Sequence, residues 1–332
     1  FMEFYTPNLG IASGNFGVYL SKDGGLLWDP SPHGIFSFDF IDNQNGLGVS
    51  DSGIYKTTNG GNTFLLVQSG SAEAVNYLSN SVVVAVVDGM FLRSTDGGTT
   101  WTTITSAQGR NNLVKVSADV ALAWGRTGNF PDYDDRVFRS TDGGQSWNDL
   151  GEILNASTYY GSFAFTVSSE QNIVATDGSG NMYHSMDSGL NWLQTFSSPG
   201  SILPYYLGSA VPVFADAQTG YFGYGPGFII KTTDGGATWF QISSGTGNNL
   251  IDIDGFSNGD MIAVGESGTL LTNQTGSSLW TLQSVVTQSH LKAVQVLNQT
   301  DVVIVDDSAK VYKSSDSGLN WIAASIAPTE LS

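Results

Sequence analysis

The stretch Ser94-Thr95-Asp96-Gly97-Gly98-Thr99-Thr100-Trp101 decides the fold, because near-copies of it recur along the whole chain. This octet has a small hydroxyl residue first, aspartate third, glycine fifth and tryptophan last. A motif that recurs at a fairly regular interval indicates a repeat architecture, in which each unit buries its apolar face against its neighbours. The eight copies begin at Ser21, Thr57, Ser94, Ser140, Ser185, Thr232, Thr272 and Ser314.

The intervals between the octets indicate the architecture. Successive octets start 36, 37, 46, 45, 47, 40 and 42 residues apart, close to the roughly 40 to 50 residues of one four-stranded propeller blade. Within the second unit, strands are predicted at 35–40, 47–50, 54–57 and 63–67, between turns rich in Gly, Asn and Asp. The sequence therefore predicts an all-β protein with a single β-propeller domain over residues 1–332. Eight blades of four antiparallel strands are expected, and seven are the alternative if the terminal units share one blade.

Three positions of the octet have a role in a turn between two strands. Glycine at the fifth position suits a backbone with positive φ, and the aspartate accepts hydrogen bonds from turn amides that have no strand partner. The closing aromatic ring is expected to pack between neighbouring sheets. We therefore predict structural roles for Asp23, Asp96, Asp142, Asp187, Asp234 and Asp316, and for Trp28, Trp101, Trp147, Trp192, Trp239, Trp280 and Trp321.

Two octets depart from the pattern. The second ends in Phe64 instead of tryptophan. The seventh, counted from Thr272, has Gln274 in place of aspartate and one additional residue before Trp280. We expect a distorted turn in the seventh octet and a tryptophan that still packs in its place.

The octet resembles the Asp-box, or bacterial neuraminidase repeat. This repeat occurs in sialidases, in xyloglucan hydrolases with two propellers, in sortilin-type receptors and in photosystem II stability/assembly factor-like proteins. The chain is most similar to the last group in repeat length and wording, as in Gly-Phe-Ile-Ile-Lys-Thr-Thr-Asp-Gly-Gly-Ala-Thr-Trp, residues 227–239. The resemblance covers nearly the whole chain and implies the propeller fold. It also implies a bacterial relative of that group and not a photosystem assembly factor, because this acidic chain lacks the group's basic patch.

The resemblance does not extend to sialidase activity. That activity requires three arginines that converge from different blades on a carboxylate, together with a Tyr–Glu pair. Arg93 and Arg139 each stand immediately before an octet, whereas Arg110, Arg126 and Arg136 belong to one unit. The cysteine-rich module of sortilin-type receptors is missing as well, because the chain has no cysteine.

Composition limits the partners and cofactors. Thirty acidic against 12 basic residues give a net charge of −18, which repels nucleic acid and anionic lipid. The three histidines fall in separate units without the spacing of zinc ligands, so we expect no cofactor. No apolar run approaches the roughly 20 residues of a membrane helix. The absence of cysteine is typical of bacterial extracytoplasmic proteins, and we expect a secreted, periplasmic or cell-surface location.

Three long intervals indicate where a ligand would bind. The additional residues form a predicted loop at 127–135 and two predicted links, 153–160 and 199–207, on adjacent blades and on the face opposite the octets. Aromatic residues on long loops either form a binding surface or anchor the loops, and both interpretations stay open. The candidate ligand-binding residues are Trp124, Arg126, Phe130, Tyr133, Tyr159, Tyr160, Tyr205 and Tyr206.

The predicted loop also contains Asp132, Asp134 and Asp135. Oxygen ligands at this spacing are suited to calcium, but the loop lacks the register of a known calcium motif. We favour an ordinary solvated acidic loop.

Three functions are compatible with these patterns. The leading hypothesis is a non-enzymatic binding or scaffold module for a protein or a glycan, monomeric or part of a larger protein. The alternative is a glycoside hydrolase or lyase that uses acids near the central channel, for which first strands supply Asp39, Asp216, Asp252 and Asp254. The third is a purely structural module of a larger surface or virion protein.

Overall fold

A computed structural model describes residues 2–14, 17–106, 110–129, 132–151, 164–177, 180–197, 212–224, 227–275, 277–284 and 287–326. In these ranges the chain forms eight sheets, and four strands that follow one another in sequence are neighbours in each sheet. The protein is therefore an all-β, eight-bladed β-propeller with four-stranded antiparallel blades. Each unit supplies all four strands of its own sheet, so the alternative of seven blades is wrong.

The strands are numbered in chain order, four to a sheet. Sheets 1 to 4 contain β1 (Met2–Phe4), β2 (Gly10–Gly14), β3 (Gly17–Ser21) and β4 (Leu27–Pro30); β5 (Ser37–Phe40), β6 (Gly46–Ser50), β7 (Gly53–Thr57) and β8 (Leu65–Ser69); β9 (Ala72–Tyr77), β10 (Val83–Val87), β11 (Met90–Ser94) and β12 (Thr102–Ser106); β13 (Arg110–Lys115), β14 (Ala121–Asn129), β15 (Asp132–Ser140) and β16 (Asn148–Gly151).

Sheets 5 to 8 follow the same order. They contain β17 (Ala164–Val167), β18 (Ile173–Thr176), β19 (Met182–Ser185) and β20 (Leu193–Phe196); β21 (Val213–Phe214), β22 (Gly220–Tyr224), β23 (Phe228–Thr232) and β24 (Phe240–Ser243); β25 (Leu250–Gly255), β26 (Met261–Gly265), β27 (Leu270–Asn273) and β28 (Thr281–Leu282); β29 (Leu291–Val296), β30 (Val302–Asp306), β31 (Val311–Ser314) and β32 (Ile322–Ala323). A last strand, β33 (Ser325–Ile326), joins sheet 1. The helical elements of the described residues are two short 3-10 turns, Pro32–Gly34 and Glu266–Gly268.

The second strand of a sheet forms the centre of its core. Every residue of β6, β10, β18 and β26 is buried, and the run Val83–Val87 shows why. A strand covered on both faces needs apolar residues at every position and not only at alternate ones. The fourth strands β28 and β32 are exposed along their whole length. The apolar core is thus concentrated in the second and third strands, packed between neighbouring sheets, as in the cluster shared by sheets 2 and 3.

The chain divides into two compact units. The first comprises Phe1–Pro30, Val174–Met182 and Gln194–Ser332, and the second comprises Ser31–Ile173 and Tyr183–Leu193. The single domain over residues 1–332 stays a prediction.

The octets form the turns between third and fourth strands, and one hydrogen-bond pattern recurs in them. In the third octet, Ser94 Oγ donates to Asp96 Oδ1 at 2.8 Å and accepts from the backbone N–H of Gly98 at 2.9 Å. Asp96 Oδ1 also accepts from the amides of Thr99 and Thr100 at 3.0 and 2.9 Å. The hydroxyl and the carboxylate therefore satisfy three turn amides that no strand pairs. The hydroxyl bonds to aspartate and glycine recur in octets 1, 4, 5, 6 and 8.

The glycine and the tryptophan complete the turn. Gly98 has φ +81°, and a Cβ at this position would lie 2.5 Å from Leu47 Cδ1 of the neighbouring sheet, so a side chain is excluded there. Four of the tryptophans donate their indole N–H to the carbonyl of the octet's fifth residue at 3.0 Å, which fixes the ring over the turn. These are Trp28, Trp192, Trp239 and Trp321.

The seventh octet begins one residue later than the sequence suggested. In seven sheets the first octet residue ends the third strand, and in sheet 7 this position belongs to Asn273, which pairs with Met261 at the start of the second strand. The octet is then Asn273–Trp280 without an insertion, and Thr275 occupies the aspartate position. Asn273 Nδ2 donates to the carbonyls of Ser277 and Leu279 at 3.2 and 2.7 Å. Trp280 is 8% exposed, so it packs in its place as expected.

Candidate functional site

Most of the predicted ligand-binding residues lie outside the described part of the chain. This applies to Phe130, Tyr159, Tyr160, Tyr205 and Tyr206. Arg126 lies in β14 and Tyr133 in β15, together with Asp132, Asp134 and Asp135. The structure therefore brings Arg126 and Tyr133 into one hairpin, and the proximity of the two predicted links stays a prediction.

Trp124 is a buried anchor. Its side chain is 8% exposed, and its ring lies 4.3 Å from that of Phe165 in sheet 5. Phe165 in turn packs edge-on against Trp192, with the ring centroids 5.4 Å apart. Of the two interpretations that the sequence left open for these aromatic residues, the loop anchor therefore fits Trp124.

The described residues of the segment predicted as a loop at 127–135 belong to two paired β-strands, and the prediction of a loop is wrong for them. Strands β14 and β15 have 9 residues each, and their pairing continues without a break to Asn129↔Asp132. The second and third strands of the other sheets have 4 or 5 residues. The long interval between octets 3 and 4 is thus accounted for by longer strands.

The outer part of this hairpin pairs only with itself among the described residues. The pairing of β13 with β14 ends at Arg110↔Arg126, and that of β16 with β15 ends at Gly151↔Val137. We call the two-stranded segment at 127–129 and 132–136 the ribbon. At its base, Arg136 Nε and Nη2 both donate to Asp149 Oδ2 of β16, at 2.9 and 2.6 Å. This ion pair joins the ribbon to the fourth strand of its own sheet.

Three of the four acids that were candidates for catalysis form bonds to a neighbouring sheet. Asp39 Oδ2 in β5 accepts the backbone N–H of Tyr77 in β9 at 2.6 Å. Asp254 Oδ2 in β25 accepts the N–H of Val296 in β29 at 2.6 Å, and Asp252 Oδ2 accepts that of Val294 at 2.9 Å. These amides belong to first strands, which are edge strands, so the carboxylates replace the missing strand partner.

Burial changes the protonation of these acids. Desolvation raises the pKa of Asp252 to about 7, and the neighbouring charge of Asp254 adds to the rise. Desolvation also raises the pKa of Asp254 to about 6 and raises that of Asp39 above its usual value. Asp216 differs, because its carboxylate accepts the amides of Gln218 and Thr219 in a turn, both at 2.7 Å, and these bonds lower its pKa. Three of the four acids are thus buried with a raised pKa, whereas Asp216 is held in a turn with a lowered one.

The arginines before the octets are engaged between sheets. Arg93 Nε donates to the carbonyl of Gly143 at 2.7 Å, and Arg139 Nε donates to that of Ser188 at 2.8 Å. Each arginine thus binds the fourth residue of the next octet. Arg136 is held by Asp149. The sequence could have indicated the role of Arg93 and Arg139, because Lys or Arg stands immediately before five of the octets.

The described residues contain neither a cluster of metal ligands nor a helix that could span a membrane. They contain no group of three or more His, Cys, Asp or Glu side chains arranged to hold a metal ion. No helix in the same ranges has the length and hydrophobicity needed to span a membrane.

Comparisons with known proteins support the fold. No protein-family model matches the sequence, and no curated protein sequence matches it either. Solved structures do match. The computationally designed protein Ika8 has a TM-score of 0.64 at 14% identity and covers 95% of each chain. YCF48 bound to D1 peptide has a TM-score of 0.53 at 18% identity and covers 76% of this chain and 82% of its own.

A similar enzyme is found as well. The GH74 xyloglucanase from Xanthomonas campestris has a TM-score of 0.54 at 14% identity, over 86% of this chain and 52% of its own. At such low sequence identities the likeness shows that these proteins share the propeller fold. It does not show that they share an activity.

Proposed function

We propose that this chain is an Asp-box propeller without enzymatic activity that acts as a binding or scaffold module for a protein partner, and that the ribbon is part of its contact surface. The observation that carries the proposal is the length of β14 and β15. These two strands have 9 residues each, whereas the second and third strands of the other sheets have 4 or 5. The pairing of the additional residues extends beyond the last pairs that β14 and β15 make with β13 and β16, so we assign these residues a role outside the sheet.

The state of the acids supports a binding role over hydrolysis. A glycosidase needs one carboxylic acid and one carboxylate that face the substrate from either side. Here the carboxylates of Asp252 and Asp254 each accept a backbone amide of β29, and Asp39 accepts one of β9. Acids whose oxygens replace strand pairing are structural, and their raised pKa values follow from burial.

The comparisons support a protein as the ligand. One of the similar propellers, YCF48, has been solved with a bound D1 peptide, so a propeller of similar fold binds a peptide. A glycan is the other ligand that the aromatic residues of the long segments would suit. We place the protein outside the cytoplasm, as a secreted, periplasmic or cell-surface module, on composition alone.

A shortened ribbon tests the proposal. In the test variant, residues 127–134 are replaced by Asn-Gly, which leaves Arg136 and Asp149 in place and retains 121–126 and 135–140 of β14 and β15. We expect an unchanged melting temperature and the loss of a partner that co-purifies with the unaltered protein from its native cells. Retention of the same partner at the same yield would refute a role of the ribbon, and hydrolysis of a glycan by the purified chain would refute the binding role.

A further inference from the structure

Sheet 1 differs from the other sheets because it has a fifth strand. The chain leaves sheet 8 after β32, and β33 then pairs with β4 at the outer edge of sheet 1, with Ser325 opposite Leu27 and Ile326 opposite Trp28. This pairing is parallel, whereas β4 pairs with β3 in the antiparallel sense. The outer edge of β4 is therefore a place that accepts an added strand.

The edge of β4 is formed without help from β33. Asp23 Oδ1 accepts the amides of Leu26 and Leu27, both at 3.0 Å, and Trp28 Nε1 donates to the carbonyl of Gly25 at 3.0 Å. Trp28 is 1% exposed. The first octet thus fixes the backbone that precedes and contains β4.

Sheets 1 and 8 are also joined without β33. Met2 and Trp28 of sheet 1 share an apolar cluster with Ala293, Val303 and Val311 of sheet 8. The contact between these sheets therefore rests on side-chain packing, and the two residues of β33 add to it without being its basis. Release of β33 would leave the packing of these five residues in place.

The attachment of β33 to its own sheet is short. Strand β32 has two residues, both exposed, and the last bond to sheet 8 runs from the N–H of Ala324 to the carbonyl of Val311 at 2.8 Å. Ala324 is the single residue between β32 and β33. Rotation about this one residue is enough to direct β33 away from sheet 1, and a short hinge of this kind favours strand exchange between copies.

The surface around the seam favours a second copy as the partner. Leu26 is 41% exposed, Leu27 43%, Leu319 67% and Ile322 59%. Leu26 and Leu319 belong to the first and last octets, and Leu27 and Ile322 begin β4 and β32. An exchange of β33 brings the same seam of two molecules together, so the apolar side chains of one copy cover those of the other.

We propose that the outer edge of β4 is a strand-acceptor site at which two copies of this chain associate by exchanging β33. Each copy then donates one strand and accepts one, which gives a closed two-fold dimer. The proposal is independent of the ribbon and of its partner.

The absence of cysteine in the chain permits a direct test. The Ser325→Cys variant is mixed with the Leu27→Cys variant under mild oxidation at high protein concentration. Paired positions of neighbouring strands lie within disulfide reach, so exchange yields a disulfide-linked heterodimer. The matched control pairs Ser325→Cys with Leu65→Cys, because Leu65 is likewise an exposed first residue of a fourth strand.

We expect cross-linked heterodimer as the main product of the first mixture and only a background amount from the control, because exchange places Ser325 opposite Leu27 and not opposite Leu65. The double variant, with both cysteines in one chain, is oxidised in dilute solution so that the disulfide closes within one molecule, and is then concentrated; it should stay monomeric because β33 can no longer leave its own β4. Equal heterodimer yields in the two mixtures, or a double variant locked in this way that dimerises as readily as the unaltered chain, would overturn the proposal.

Discussion

Asp254 Oδ2 accepts the backbone N–H of Val296 at 2.6 Å and thereby joins the first strand of sheet 7 to the first strand of sheet 8. The same relationship holds between Asp39 and Tyr77 in sheets 2 and 3, at the same distance. Both aspartates stand opposite the second residue of the second strand in their own sheet. An acid at this position of the first strand, which occurs in some of the sheets, thus joins one sheet to the next.

The acids of sheet 7 make stability depend on pH. The pKa of Asp252 is raised to about 7 and that of Asp254 to about 6, from 3.8, so the folded state retains protons that the unfolded state has lost. This contribution is complete below about pH 4 and is lost as pH rises through 6 and 7. We expect the melting temperature to fall by about 5 °C between pH 5 and pH 8, as measured by calorimetry.

The Asp252→Asn variant isolates this effect. Asparagine keeps an oxygen that accepts the Val294 amide but has no proton to lose, so the decline between pH 5 and pH 8 should become shallower. Asp216→Asn is the matched control, because hydrogen bonds lower the pKa of Asp216 and its contribution is lost only in more acidic solution. An unchanged slope in Asp252→Asn would show that another group causes the decline.

The buried hydroxyl of the octet is expected to matter for stability. Ser94 is 2% exposed and accepts the amide of Gly98, so Ser94→Ala leaves that amide without a partner. We expect a loss of about 2 kcal/mol in the free energy of unfolding, measured by denaturant titration. Ser94→Thr should retain nearly all the stability, since threonine fills this position in octets 2 and 6. Equal losses in both variants would contradict the assigned role.

The start of the seventh octet can be tested in the same way. Asn273 is 2% exposed and donates to two turn carbonyls, so Asn273→Ala should cost about 2 kcal/mol of unfolding free energy. Gln274 is exposed, and Gln274→Ala should change stability by less than about 0.5 kcal/mol. A larger loss of stability in Gln274→Ala than in Asn273→Ala would support an octet that begins at Thr272.

Substitution of Trp124 distinguishes a role in packing from a role in ligand binding. Its burial against Phe165 implies that Trp124→Ala costs about 3 to 5 kcal/mol, whereas Trp124→Phe retains the aromatic contact and most of the stability. Thermal unfolding of the two variants measures this. A Trp124→Ala variant as stable as the unaltered chain would mean that the ring serves a ligand instead.

The sequence predicts the features of this protein that are local. The octet contains its own hydrogen-bond partners within five residues, so its turn, its strands and the number of blades follow from the pattern. The sequence predicts the start of the seventh octet wrongly because Thr272 looks like the hydroxyl residue, whereas strand pairing gives that position to Asn273. It predicts a loop at 127–135 because glycine and aspartate there hide the strand pattern of β14 and β15.

Features that depend on a distant partner could not be read from the sequence. The amides that Asp39 and Asp254 bind belong to another sheet, about 40 residues away, and nothing near the aspartates marks them. The pairing of β33 with β4 involves two residues of β33. A strand of two residues is too short to show a recognisable pattern in the sequence. No motif in the sequence identifies the protein that we propose as the ligand of the ribbon.

The central claim is that the chain binds a protein through the ribbon, and site-specific photo-crosslinking in native cells tests it most directly. A photoreactive phenylalanine analogue replaces Asn129 at the end of β14 in one variant and Asn62 in the second octet of another. The account predicts one discrete crosslinked protein at position 129 and none at position 62. Crosslinks of equal yield at both positions, or a crosslink only at position 62, would contradict it.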